Sequence, residues 1–379
     1  NPDRYLPNSW LTYFKSAKGC EVTDLDNNKY LDLSTMGVGT NTLGYGDQKV
    51  DLAVRKATNL GNISTLNCAE EVLLAEKLIK IHPWFQMVKF ARTGGEANSI
   101  AIRIARAAAG RDNVAFCGYH GWHDWYLSTN LSNSKKNNLN NHLMKDLNVA
   151  GVPRKLKNTS FSFNYGDFKS LKSIIKNKKI GIIKMEVCRN SQPNISFLKK
   201  VRALATKKKI ILIFDECTTG FRETYGGLHK KIGIKPDMAI FGKALGNGYA
   251  ITAILGKEKI MKSANNTFIS STFWTERIGS VAALKTLEVM KEQKSWTKIN
   301  LIGLKIKKKW KKLFKKYNLS VSIRGINSLL NFIFKSKNHQ IYKTLITQEM
   351  IRDKILATNA IYPCVKHSNS ILNKYFKSL

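Results

Sequence analysis

A lysine and an aspartate close two apolar runs of this chain. Residues 210–214 read Ile-Ile-Leu-Ile-Phe and lead into Asp215-Glu216. Residues 238–242 read Met-Ala-Ile-Phe-Gly and deliver Lys243 into a glycine-rich turn that reaches Gly248. Runs this short and apolar suit buried strands. An amine and a carboxylate at the ends of neighbouring strands suit the chemistry of pyridoxal phosphate (PLP). The amine forms a Schiff base with the cofactor aldehyde. The carboxylate pairs with the pyridine nitrogen and keeps it protonated, so that the ring accepts electrons.

Other residues fit around that pair. Thr93-Gly94-Gly95-Glu96 opens a helix whose apolar face is Ala97, Ile100, Ala101, Ile104, Ala105 and Ala108, with Gly110 as its C-terminal cap. A Gly-Gly entry lets backbone N–H groups approach a phosphate, which a helix N-terminus favours electrostatically. The chain has no Gly-x-x-x-x-Gly-Lys-Ser/Thr segment, so a P-loop nucleotide site is not indicated. Tyr119-His120-Gly121-Trp122-His123-Asp124 follows a strand. A third well-spaced ligand for the two histidines is not evident, so no metal is expected. Tyr119 instead offers a ring to stack on a flat cofactor, and His120 reads as a hydrogen-bonded structural histidine. Arg189 lies just beyond a strand end, where it would grip a substrate carboxylate or form an ion pair. Trp274 is a candidate pocket wall or core residue.

These residues need a scaffold. Apolar runs at 88–91, 114–117, 180–187, 210–214, 238–241 and 251–255 alternate with helical patterns. That alternation predicts an α/β fold with a mainly parallel sheet covered by helices. Ligands of such sheets bind beyond the carboxyl ends of the strands, where Asp215, Lys243, Glu186 and Tyr119 all fall. Asp26-Asn27-Asn28 reads as the turn of a hairpin, and short strands are expected at 320–323 and 329–334. The division expected is residues 1–49 with 276–379 in a smaller α+β domain, and 50–275 in a large cofactor-binding domain. The Asn/Lys-rich stretch 133–141 is the best candidate for a mobile loop.

The chain has 379 residues, 43% hydrophobic, with a formal net charge of +37. The excess is mostly lysine spread along the chain, with many asparagines beside it. Both residues have A/T-rich codons, so no nucleic-acid partner is inferred. The densest stretch, 305–316, places Trp310, Leu313, Phe314 and Tyr317 at helical spacing, which predicts an amphipathic helix with a solvated lysine face. The diffuse positive field would still attract anionic substrates. No run approaches the roughly 18 apolar residues of a membrane span. Six cysteines without a Cys-x-x-Cys pair fit a reducing cytosol. The start, Asn1-Pro2-Asp3-Arg4, carries no signal-peptide pattern and no initiator methionine, so residues are expected to precede it.

Taken with Asp24–Asp32, Thr93–Arg106, Gly118–His123, Phe214–Arg222 and Pro236–Gly248, the chain resembles a class III aminotransferase of the fold type I PLP enzymes, similar to the glutamate-1-semialdehyde aminomutases. The resemblance implies a mainly parallel seven-stranded sheet with helices on both faces. It implies that Lys243 carries the cofactor and moves protons, Asp215 binds the pyridine nitrogen, and Gly94 and Gly95 hold the phosphate. Tyr119 would stack on the ring, with His120, Glu186 and Asn190 near the cofactor. Thr272 would reach the phosphate bound by a neighbouring subunit, in a homodimer with shared active sites. After Thr272 the aminomutases read Leu-Ser/Tyr-Gly-Asn-Pro, whereas this chain reads Phe273-Trp274-Thr275-Glu276-Arg277. The activity implied is transfer of an amino group from a small-molecule donor to a carbonyl acceptor. The alternatives are a 2,1-aminomutase, a PLP racemase or decarboxylase, and a non-catalytic basic binding protein.

Overall fold

The computed structural model describes residues 10–132, 139 and 147–379. The expected mobile stretch 133–141 and the first nine residues fall largely or wholly outside them. Near the start, β1 (Phe14–Lys18), β2 (Glu21–Asp24) and β3 (Lys29–Asp32) form an antiparallel meander. Its second turn is the one read from the sequence. Asp24 accepts the backbone N–H of Asn28, and Asn27 takes a positive φ of 65°, a conformation that asparagine tolerates.

The central sheet contains β4 (Met87–Ala91), β5 (Asn113–Cys117), β6 (Ser160–Ser162), β7 (Ile180–Glu186), β8 (Ile211–Asp215), β9 (Met238–Phe241) and β10 (Thr252–Gly256). Their order across the sheet is β4-β10-β9-β8-β7-β5-β6. Pairs β9/β8, β8/β7, β7/β5 and β5/β6 are parallel. Six of these strands were legible as apolar runs. The seventh, β6, has three residues and no apolar periodicity to announce it. One strand departs from the expected alternation: β10 runs antiparallel to both neighbours, β9 and β4. Only residues 242–251 join β9 to β10, and they form a turn rather than a crossover helix. A parallel return needs a longer connection.

Helices cover both faces. Helix Gly94–Ala109 packs Ala97, Ile100, Ala101 and Ile104 against Ile182, Ile213, Ile240 and Ile254. Helices Phe168–Asn177 and Ile195–Lys207 pack Leu171, Phe197, Leu198 and Val201 against Ile183, Met185, Leu212 and Phe214. The lysines at 176–179 and 207–209 sit at the ends of these helices, where the chain turns back into the sheet.

The last hundred residues carry helix Ser295–Lys316, then β11 (Val321–Arg324) and β12 (Leu330–Phe334). Trp310 and Phe314 bury the apolar face of that helix, while Tyr317 caps its end and is exposed. The expected stripe is therefore one residue shorter, because the helix stops before Tyr317 can turn inward. β13 (Ile355–Leu356) pairs in parallel with β3, so one small sheet joins both chain ends. β14 (Ala360–Ile361) completes a second small sheet beside β12. Among the described residues no helix is long and apolar enough to cross a membrane.

Candidate active site

Asp215 is the last residue of β8, and its side chain is 5% exposed. Its Oδ2 accepts a hydrogen bond from His120 Nδ1 at 2.8 Å, and its Oδ1 accepts the Cys217 N–H at 3.1 Å. Lys184 Nζ lies 3.8 Å from the same Oδ2. Burial alone would raise the carboxyl's pKa. The opposing charge of Lys184 and the hydrogen bond from His120 outweigh it and hold Asp215 well below the usual carboxylate range. Asp215 is therefore a buried anion.

Lys243 follows β9 after one residue, Gly242, whose Cβ would meet Thr252 Cγ2 at 2.9 Å. Only glycine leaves that passage open. Lys243 itself has φ of 46°, an uncommon conformation for a residue with a side chain, and such strain persists where the surroundings impose it. Its Nζ donates to Thr218 Oγ1 at 2.9 Å. Burial draws the amine below the ordinary lysine pKa, and the nearby Arg189 guanidinium adds to that effect. Both favour the neutral amine, the form that takes protons and attacks carbonyl carbons.

The two groups line one cavity of about 630 Å³, together with Gly94, Gly95, Tyr119, Glu186 and Arg189. Helix Gly94–Ala109 points its N-terminus into it. A capping box joins Thr93 and Glu96: Thr93 Oγ1 accepts the Glu96 N–H, and Glu96 accepts the Thr93 N–H. The N–H groups of Gly94 and Gly95 then have no acceptor within the helix. A Cβ on Gly95 would lie 2.8 Å from His123 Nε2, so that ring presses directly on the helix entry.

Glu186 and Arg189 form a bidentate ion pair at the ends of both side chains, and Glu186 also accepts the Tyr119 N–H at 3.1 Å. The Arg189 guanidinium lies 5.8 Å from the Tyr119 ring centroid. Arg189 is thus ion-paired and stands in the cavity wall. His120 stands behind Asp215, fully buried, with Nε2 facing the Cys117 carbonyl at 3.1 Å.

Three residues lie elsewhere. Asn190 has φ of 53° and accepts from Asn331 Nδ2. It lines an adjoining cavity with Arg324, which shares the Glu186–Arg189 pair as a wall with the cavity of Lys243. Thr272 is exposed in a short 3-10 turn, Thr272–Thr275. Trp274 borders a groove beside Phe268, with its Nε1 3.5 Å from Glu96 Oε1, and does not line the cavity of Lys243.

Several site residues escaped the sequence reading. Thr218 lies within the Asp215-to-Arg222 segment, where its hydroxyl type was the signal. Lys184 was announced by being the one charge in an otherwise apolar run before Glu186. Glu216 accepts from His229 Nδ1, two backbone N–H groups and Thr219 Oγ1, and so anchors the loop that carries Thr218.

The donor set fits PLP. A buried carboxylate suits a ring nitrogen, an amine suits an aldehyde, and two free N–H groups at a helix entry suit a phosphate. Among the described residues no group of three His, Cys, Asp or Glu side chains could hold a metal ion.

Comparison with known proteins agrees. The model of the family Aminotransferase class-III matches residues 6–358. The 3-aminobutyryl-CoA aminotransferase of Cloacimonas acidaminovorans (strain Evry) is 32% identical, over 98% of this chain and 88% of that protein. The glutamate-1-semialdehyde 2,1-aminomutase of Methanocaldococcus jannaschii is 28% identical, over 98% of this chain and 93% of its own length. Among solved structures, the FumI protein of Sphingopyxis sp. MTA144 in its PLP internal aldimine form superposes with a TM-score of 0.89. It is 21% identical, with 99% of this chain and 89% of that one covered.

Proposed function

This chain belongs to the class III aminotransferases, and from that premise we propose that the Lys243–Asp215 cavity moves an amino group from a primary amine donor to a carbonyl acceptor. The donor leaves as a carbonyl compound and the acceptor as an amine. PLP supplies an aldehyde that receives the amino group and a ring that takes up electron density from the substrate carbon. The observation that carries the reading is the meeting of the buried Asp215 carboxylate and the Lys243 amine in one cavity.

Each residue has a proposed task. Lys243 would hold the cofactor between turnovers, and its neutral amine, once freed, would take the Cα proton and deliver it to the carbon on the other side of the transferred nitrogen. Thr218 orients that amine. Asp215 keeps the ring nitrogen protonated, with His120 fixing the carboxylate. Gly94 and Gly95 bind the phosphate, and Tyr119 forms a flat wall. Glu186 positions Arg189, the residue proposed to meet a substrate carboxylate in exchange for its glutamate partner. Asn190 and Trp274 have no part in this reading.

We further propose a homodimer in which Thr272 reaches the partner's phosphate. Its support is the exposure of Thr272 beside two bare aromatic rings, Phe268 at 86% and Phe273 at 63%. A cytosolic setting is supported by the six cysteines, all free. Intramolecular transfer is the second reading, favoured by the aminomutase among the relatives.

A half-reaction tests the proposal. The PLP-loaded protein, given single amines and amino acids without acceptor, is expected to convert stoichiometric cofactor to pyridoxamine phosphate with a matching carbonyl product. Racemised or decarboxylated donor with no pyridoxamine phosphate would contradict it.

A further inference from the structure

Lys184 occupies the middle of β7, between Ile182 and Glu186 on the same side of the strand. Its cross-strand neighbours are Phe116 on β5 and Ile213 on β8, both members of the apolar cluster under helix Gly94–Ala109. The side chain has no exposed surface. Among the described residues its Nζ makes no hydrogen bond. The nearest opposite charge is Asp215 Oδ2, at 3.8 Å. A buried amine with no partner but a carboxylate is costly, and packing does not require it.

His120 completes the group. Both of its ring nitrogens face oxygen acceptors, Asp215 Oδ2 at 2.8 Å and the Cys117 carbonyl at 3.1 Å. That geometry suits a doubly protonated ring. Yet a second buried cation beside Lys184 is unfavourable. Burial first, and then repulsion by Lys184, lower the His120 pKa. The other charged or titratable groups facing Asp215 are Glu186 on β7, Arg189 beyond it, Cys217 after β8 and Lys243 after β9.

We propose that Lys184 is a positioning residue of this site: it places a fully buried positive charge 3.8 Å from Asp215, and so keeps the His120–Asp215 pair one proton short. Burial lowers the Lys184 pKa, and the Asp215 carboxylate 3.8 Å away acts against that shift and favours the charged amine; a lysine starts from a far higher pKa than a histidine. Asp215 therefore presents the same carboxylate to the ring nitrogen whatever the ambient pH near neutrality. Without Lys184 the counter-charge passes to His120, and the site becomes a titrating one. This inference rests on the reading that Asp215 receives the ring nitrogen of PLP.

Two measurements on wild type and Lys184→Met test it. Methionine matches the lysine stem and removes only the charge. The first is an NMR titration of the histidine side-chain nitrogens in the full chain without cofactor, with the His120 signal assigned by substitution. His120 is expected to stay neutral in wild type and to take up a proton near neutral pH in K184M. The second is PLP affinity between about pH 6 and pH 8. The ratio of K184M to wild-type affinity is expected to change by about tenfold across that range, with a midpoint at the His120 titration. If K184M does not fold, Lys184→Gln carries the same test. A His120 titration that Lys184 does not move would overturn the proposal, as would an affinity ratio flat with pH. Failure of the wild-type chain to bind PLP, with His120 shifted as expected, would instead overturn the reading of Asp215 and with it the inference built on it.

Discussion

Asp215 keeps its charge although it is almost wholly buried, and its neighbours explain how. A carboxylate in that position holds a proton on a ring nitrogen because Lys184 and His120 already make the charged form the stable one. An amide of the same shape lacks the charge. Asp215→Asn is therefore expected to retain the fold and the attachment at Lys243, and to lower turnover on the order of a hundredfold or more. Some thermal stability goes with it, because Lys184 loses its counter-charge. Near-normal single-turnover transfer in that variant would show that the role of Asp215 is misassigned.

At the scale of elements, the site is a meeting of one helix entry with four strand ends. Gly95→Ala adds a methyl group whose carbon would lie 2.8 Å from His123 Nε2. The ring or the helix entry must move, and the two N–H groups move with it. PLP affinity is expected to fall about tenfold, with little change in unfolding temperature. Unchanged affinity would place the phosphate elsewhere. These elements were largely legible. Apolar runs with a charged residue at the end marked β7, β8 and β9, and the helix announced itself through Gly-Gly and a period of 3.6. What the sequence hid has physical causes. β10 reverses direction because of the length of the preceding turn, which an apolar pattern does not encode. Asn190 falls on the far side of the Glu186–Arg189 pair, in the adjoining cavity, and that side-chain pairing is invisible to spacing. Lys184 stands out in the sequence only as the one charge in an apolar run, and its place opposite Asp215 comes from strand register, which that run does not encode.

Two properties belong to the molecule as a whole. His82 accepts the Gly227 N–H at Nε2 and faces the Leu78 carbonyl with Nδ1, so the neutral ring is the one that fits. His367 accepts the Cys364 N–H at Nδ1 and faces the Asp32 carbonyl with Nε2. Burial lowers their pKa values from 6.5 to about 3 and about 4, respectively. The unfolded chain binds their protons first. Stability is thus expected to fall as the pH drops from about 6.5 toward those lower values, by about 1.4 kcal/mol per unit and per histidine. Denaturant midpoints across that range check it; no loss before pH 4 would contradict it. The second property is assembly. If Thr272 completes the partner's site, mixing an inactive Lys243→Ala protein with an inactive Thr272 variant puts both lesions in one site of each mixed dimer and none in the other. Activity is expected to reappear on mixing. No recovery, once mixed dimers are shown to form, would count against the shared site.

Everything proposed for this site depends on Lys243 being the residue that holds PLP. Its amine is buried, below the ordinary lysine pKa, and opposite Asp215 across one cavity. Borohydride reduction of the PLP-loaded protein, followed by peptide mass spectrometry, reads the attachment directly. One phosphopyridoxyl group per chain is expected, on the peptide carrying Lys243, and it should be lost in Lys243→Ala. Label on any of the other lysines, with Lys243 unmodified, would contradict it.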